Sequence, residues 1–185
     1  MNRGSLLDRL GYIRLLFRGS TWAWLIRAID YTVEDHLHGW ARLRRGAHCE
    51  IHPSVGFRCG ENIELGNHTR IQPNCLLWAS PHARITVGDY SGIGPGSMLF
   101  TSNHRFAPGV PYHQQEWNEA DIHVGRDVWI GAGSIILSGV TIGDGCVVAA
   151  GSVVTKDLAP NSIAVGAPAR VIRSRVAETP IEQEI

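Results

Sequence analysis

The chain has 185 residues, with 17 Lys and Arg against 17 Asp and Glu, so its formal net charge at pH 7 is zero and it has no whole-molecule field to hold a polyanion. Nucleic acid is therefore not an expected partner. Charged residues make up only 18%, glycine fills 21 positions, and no uninterrupted apolar run exceeds five residues, a composition that fits neither a disordered chain nor a coiled coil nor a membrane-spanning helix.

In chain order, residues 1–45 form the first unit, a helical arm. Leu6, Leu10, Ile13 and Phe17 are spaced four, three and four apart. After Gly19-Ser20-Thr21 come Trp22, Leu25, Ile26, Ile29, Val33 and Leu37, ending near Gly39. This spacing predicts two amphipathic helices. Eight Arg against four acids give the segment a charge of +4, which the remaining residues balance with −4. Such a basic, Trp-bearing arm suits two uses: packing on the next unit as a terminal cap, or peripheral contact with an anionic membrane surface. The opening residues carry an early acid, Asp8, and no continuous apolar core of a secretory signal, so the expected location is cytoplasmic, with peripheral contact at the membrane's inner face if the arm binds lipid.

From residue 46 a six-residue period sets in. It is loose at Ile51, Phe57 and Ile63, firmer at Leu65, Ile71 and Leu77 and again at Val87, Ile93 and Leu99, and strict at Val124, Ile130, Ile136, Ile142, Val148 and Val154. Four places after each of the first five strict positions sit Val128, Ser134, Val140, Cys146 and Ser152, all small or β-branched. A period of six matches neither a helix nor a plain strand; it matches a short strand plus a tight corner. Three such units close a triangular coil of 18 residues, and stacked coils pair backbone edges about 4.8 Å apart while one aliphatic side chain per hexad points inward. The fold class is therefore all-β, a parallel β-helix over residues 46–175 with the helical arm before it and a tail over 176–185. Corners such as Gly66-Asn67, Gly88-Asp89 and Gly143-Asp144-Gly145 are expected to supply permissive φ values.

The period breaks between Leu99 and Val124, where a long polar stretch predicts an extruded loop over 104–123. Function concentrates on loops held by a rigid scaffold, and His104 stands at the root of this one. The four cysteines form no paired spacing; Cys75 and Cys146 fall in the small inward slot, and His48, Cys49, His52 and Cys59 straddle a corner without the spacing of a zinc site. No metal is expected.

The runs Val128-Trp129-Ile130-Gly131-Ala132-Gly133, Gly139-Val140-Thr141-Ile142-Gly143-Asp144, Ala150-Gly151-Ser152-Val153-Val154-Thr155-Lys156-Asp157 and Val165-Gly166-Ala167-Pro168-Ala169-Arg170-Val171-Ile172-Arg173 resemble the hexapeptide-repeat acyltransferases, nearest to the maltose, galactoside and nodulation O-acetyltransferases and the polysaccharide-biosynthesis acetyltransferases. The resemblance covers roughly residues 51–173. It implies a left-handed coil, a homotrimer with sites between neighbours, acetyl-CoA as donor, and direct transfer to a sugar hydroxyl; the basic aromatic arm favours a cell-envelope glycan or its precursor as the acceptor. It matches His104 to the family's general base and Asn74 to its active-site asparagine. Trp129, Gly131, Ala132, Ala150, Thr155, Lys156, Arg170 and Arg173 match positions along the donor, the two alanines by the pantetheine arm and the basic residues by the adenosine phosphates.

The chemistry suits these types. A sugar hydroxyl is a poor nucleophile at neutral pH, and an imidazole is a base poised to take its proton as it attacks a thioester. The developing oxyanion needs a preorganised donor, which an amide or backbone N–H supplies, so Asn74 could serve there or position the acceptor or the base. An antibiotic-modifying acetyltransferase and a non-catalytic β-helical scaffold are the alternatives. A γ-class carbonic anhydrase would want His where Ala132 stands.

Overall fold

The computed structural model describes residues 18–177. The expected first helix, from Leu6 to Phe17, and the tail beyond 177 lie outside the described residues. The remainder is a triangular prism of parallel strands, the all-β solenoid anticipated from the hexads. Face 1 stacks five strands, including Ile63–Leu65, Ile85–Val87, Ile122–Val124 and Thr141–Ile142. Face 2 carries Glu50–Ile51, Arg70–Ile71, Gly92–Ile93, Trp129–Ile130 and Val147–Val148, and face 3 carries Gly56–Arg58, Leu76–Trp78, Met98–Phe100, Ile135–Ile136 and Val153–Val154.

The inward residue of each hexad stacks on its counterpart one coil away. Leu65, Val87, Val124 and Ile142 form one column, Ile71, Ile93, Ile130 and Val148 a second, and Phe57, Leu77, Leu99, Ile136 and Val154 a third. Every one of them is buried. Each such side chain contributes about 1.5–3 kcal/mol, so these columns hold the coil together. The small slots are filled as expected: Cys75, Ser134, Cys146 and Ser152 are fully enclosed, and burial pushes both thiols above the ordinary cysteine range.

The corners meet the sequence expectation at Gly143-Asp144-Gly145, where Gly145 carries the positive φ, and depart from it at the other two. Gly66, Gly88 and Gly143 do not carry the positive φ; it falls two residues later at His68, Tyr90 and Gly145. These glycines are required because the next coil's backbone stacks against them: a Cβ on Gly88 would lie 2.7 Å from Gly125 C. Beside them the acidic or amide residue caps its neighbour, Asp89 Oδ1 accepting the Asn67 N–H at 2.7 Å and Asp144 Oδ1 the Arg126 N–H at 2.8 Å.

Register partners on face 2 lie 20, 22, 37, 18 and 16 residues apart from Ile51 up to Ala164. All the excess over 18 leaves from one corner, between faces 3 and 1. It consists of the 3₁₀ turn Gly60–Asn62, the segment 79–84, and the long excursion 101–121.

The arm divides in two. Helix α1 (Gly19–Thr32) buries no residue, and Trp22, Trp24, Ile26 and Ile29 are exposed along it. The helix does not end at Gly39. It passes through a π-helical stretch, Val33–His38, into α2 (Gly39–Arg42), which caps the first coil. Gly39 is there for close approach, since a Cβ would sit 1.9 Å from Phe57 O, and its own carbonyl lies as close to where a Cβ of Gly60 would be. Trp40 meets Phe57 with ring centroids 6.0 Å apart. At the other end Arg170–Ser174 folds back antiparallel on Ser162–Val165, and Arg175 ties the last corner down through Asp127 at 3.1 Å and Gly145 O at 2.9 Å.

Candidate active site

The excursion at residue 101 is a β-hairpin rather than an irregular loop. Ser102–His104 pairs antiparallel with Trp117–Glu119, Ser102 opposite Glu119 and His104 opposite Trp117. It ends by 121, because Ile122 and His123 already belong to face 1, so the loop expected over 104–123 is displaced by two residues at each end. Its base is anchored where Thr101 accepts from Ala120 N–H (2.9 Å) and from Ser138 Oγ (2.8 Å). Gln115 latches the tip, its amide donating to Ala107 O and Val110 O and accepting from Ala107 N–H. The hairpin partner, rather than the neighbouring coil, fixes His104.

Alternation along the two strands puts Ser102, His104, Trp117 and Glu119 on one face of the hairpin. Three of these four, Ser102, Trp117 and Glu119, line a cavity of about 250 Å³ whose opposite wall is Arg58 and Trp78 from face 3. The fourth is His104. Its ring lies on Trp117 with centroids 3.7 Å apart and meets Tyr112 edge-on at 4.9 Å. Nδ1 is buried and has no hydrogen-bond partner among the described residues. Glu119 is held by the His82 N–H on Oε2 at 3.0 Å.

Asn74 is elsewhere. It sits exposed on the corner between faces 2 and 3 at φ 60, a left-handed position that favours Asn or Gly, and its N–H donates to Ser54 Oγ at 2.8 Å. Gly96, Gly133 and Gly151 repeat that conformation in later coils. One residue earlier in each coil the same corner carries Pro73, Pro95, Ala132 and Ala150. The two alanines are exposed and stacked in adjacent coils, with Gly151 N–H donating to Ala132 O at 2.8 Å. Gly131 is buried, and a Cβ there would lie 2.5 Å from Ala150 N. The corner is thus a groove floored by backbone. Ala169 N–H bonds Val153 O (2.8 Å), which brings exposed Arg170 to the groove's upper end. Trp129, 63% exposed on face 2, shares a ladder row with Val147, Ile163 and Arg173. Thr155 and Lys156 are exposed just after the last strand of face 3.

One chain therefore gathers Asn74, Ala132, Ala150 and Arg170 along one corner and His104 on a hairpin from another. The cavity wall of Arg58, Trp78, Trp117 and Glu119 escaped the sequence reading. Its signal was present in part, since the phase breaks after Leu77 and Leu99 mark the corner that builds it. Among the described residues no cluster of His, Cys, Asp and Glu could hold a metal ion.

The chain is thus a hexad β-helix with a small-residue groove on one corner and a histidine-bearing hairpin on another, the architecture of a hexapeptide-repeat protein. Residues 121–156 match the family model described as bacterial transferase hexapeptide (six repeats). Galactoside O-acetyltransferase of Escherichia coli is 38% identical over 133 residues, which cover 69% of this chain and 62% of that protein. Nodulation protein L of Rhizobium meliloti is 39% identical over 157 residues, 80% of this chain and 82% of that one. The structure of a hexapeptide-repeat acetyltransferase from Vibrio cholerae complexed with acetyl coenzyme A is similar with a TM-score of 0.67 at 30% identity, covering 85% of this chain and 90% of that chain. The chain belongs to the hexapeptide-repeat acetyltransferase family. Against several curated relatives, the Escherichia coli enzyme among them, it spans only 58–62% of their length.

Proposed function

We propose that the chain transfers an acetyl group from acetyl-CoA to a sugar hydroxyl, with His104 as general base, as a homotrimer whose sites are shared between neighbours. The observation that carries this reading is the hairpin face that holds His104 against Trp117, which with Ser102 and Glu119 lines a cavity. Indole walls suit the apolar face of a sugar ring, while a carboxylate and hydroxyls suit its hydroxyl groups.

The alanine groove fits the donor: Ala132 and Ala150 are small enough for a pantetheine arm to reach backbone amides, and Trp129 flanks them. Arg170 and Arg173, with Lys156 and Thr155, suit the phosphates at the far end. Because groove and hairpin leave from different corners, a neighbour's groove facing this hairpin completes the site, and such a heterologous contact closes as a ring. Asn74, at the lower end of the groove's corner, then contributes an amide from the neighbouring copy to orient the acceptor or the reacting carbonyl.

In this arrangement His104 Nε2 takes the hydroxyl proton as the oxygen attacks the thioester carbon. The carbon–sulfur bond then breaks, and the imidazolium returns the proton to the departing thiolate. The uncovered aromatic face of α1, with Arg18 and Arg27, supports an acceptor presented at a membrane surface, a cell-envelope glycan or its precursor, and a cytoplasmic enzyme in peripheral contact with that membrane. Incubation with acetyl-CoA and a panel of free sugars, nucleotide sugars and lipid-linked glycans tests the reading. The expected result is acceptor-dependent release of CoA thiol and an acetyl ester on the sugar. Release that no acceptor stimulates overturns it.

A further inference from the structure

Arg58 occupies a position that the transfer chemistry leaves unused. It is the outward residue ending the strand Gly56–Arg58, in register with Trp78, and its guanidinium lies 5.8 Å from the centre of the Trp78 ring. Together with Cys59 it is shared by two cavities. One is the 250 Å³ cavity under the hairpin; the other, about 420 Å³, lies beneath the end of the helical arm and is lined by His38, Arg42 and Glu61. Arg58 thus stands at the passage from one to the other.

Carboxylates hold four of the described arginines, and Arg58 is not among them. Arg42 pairs with Glu61 at 3.8 Å, Arg70 with Glu50 at 3.1 Å, Arg105 with Glu116 at 3.4 Å and Arg175 with Asp127 at 3.1 Å. Among the described residues Arg58 has no carboxylate within ion-pair distance. Glu119, the one acid lining the smaller cavity, is engaged by the His82 N–H. A guanidinium held against an indole and left without a counter-ion at the mouth of a sugar-sized cavity is suited to accept an anion in bidentate fashion.

We propose that the acceptor is an anionic sugar, whose ring occupies the cavity walled by Trp78 and Trp117 and whose carboxylate or phosphate binds Arg58 and projects toward Arg42 in the adjoining cavity. The proposal rests on the reading of His104 as the base beside that cavity, and it adds the charge class of the substrate. It also assigns Arg58 as a specificity-determining residue, since it touches the substituent rather than the reacting hydroxyl.

The test compares N-acetylglucosamine with its 1-phosphate, and glucose with glucuronic acid, by kcat/KM for acetyl transfer and by calorimetric binding in the absence of acetyl-CoA. Wild-type protein is expected to prefer the anionic member of at least one pair by about ten- to hundredfold, the range for a hydrogen bond to a charged group. Arg58→Gln should bring that ratio close to one, Arg58→Lys should keep part of it, and added salt should shrink it. Which pair shows the preference tells phosphate from carboxylate. A neutral preference in the wild type, or a ratio that Arg58→Gln leaves intact, overturns the proposal. Loss of transfer to every acceptor, with anion binding still dependent on Arg58, counts against the acetyltransferase reading and sustains the anion site.

Discussion

Replacing His104 by alanine separates chemistry from packing at the hairpin. The ring makes two aromatic contacts, with Trp117 at 3.7 Å and Tyr112 at 4.9 Å. Each such contact is worth about 0.5–1.5 kcal/mol, so their disruption alone could lower turnover by roughly tenfold if the hairpin loosened. A general base contributes about 10²–10⁴-fold, or about 2.7–5.5 kcal/mol. The ring also buries an unpartnered Nδ1, a group that costs about 1–3 kcal/mol, and its removal offsets the lost contacts. His104→Ala is therefore expected to unfold within about 1 kcal/mol of the wild type in urea, to bind acetyl-CoA unchanged by calorimetry, and to lose 10²–10⁴-fold in kcat by CoA-thiol release. Two other histidines serve as controls. His123 lies on face 1 with Nδ1 2.7 Å from Thr86 Oγ1, and His113 lies in the 3₁₀ turn Tyr112–Gln114 against Tyr112. Their alanine variants should each lose less than about tenfold. A His104→Ala enzyme within tenfold of wild-type kcat, or a control that falls as far, refutes the assignment.

Ala150→Trp fills the groove corner and should abolish acetyl-CoA binding by calorimetry while circular dichroism still reports the coil; retained affinity would move the donor elsewhere. Gly39→Ala drives a methyl against the Phe57 carbonyl and should destabilise the chain by about 1–3 kcal/mol, read as a lower urea midpoint at constant slope. With both thiols raised by burial, Cys75 and Cys146 should resist alkylation at pH 8 until the chain unfolds. Because their folded values exceed the unfolded 9.0, the stability they contribute is full below pH 9 and is lost as pH rises through the folded values, so a urea midpoint that rises from pH 8 to 10 would contradict the buried-thiol picture.

The hexads were legible because each inward aliphatic repeats at the period of one strand and one corner, which leaves Ile130 or Val148 no other place to point. What sequence spacing conceals is which corner a residue shares with which. Asn74 and His104 are 30 positions apart and both resemble family site residues, yet they leave from different corners of one prism. Gly39 reads as a helix end and Gly88 as a turn glycine because flexibility is the commoner reason for glycine; here a neighbouring backbone excludes a methyl, and that neighbour is distant in sequence. The hairpin was hidden because Ser102-Asn103-His104 and Trp117-Asn118-Glu119 lack the alternation of a half-buried pair, and its strands are held by each other and by the latch of Gln115.

Confining every insertion to the corner between faces 3 and 1 gives the molecule a variable region whose length is nearly independent of its frame. The ladder bonds and inward columns belong to the faces, so residues added at that corner disturb neither, and lengthening a flexible segment twofold costs only about 0.6 kcal/mol in closure entropy. Between the coil ending at Leu99 and the one resuming at Ile122, 22 residues intervene, and the strands on either side still meet in register. A hairpin grafted there from another chain would inherit a ready-made seat against Arg58 and Trp78, so the proposed acceptor pocket could be exchanged as a cassette without disturbing the Ala132 and Ala150 corner on the opposite edge of face 3.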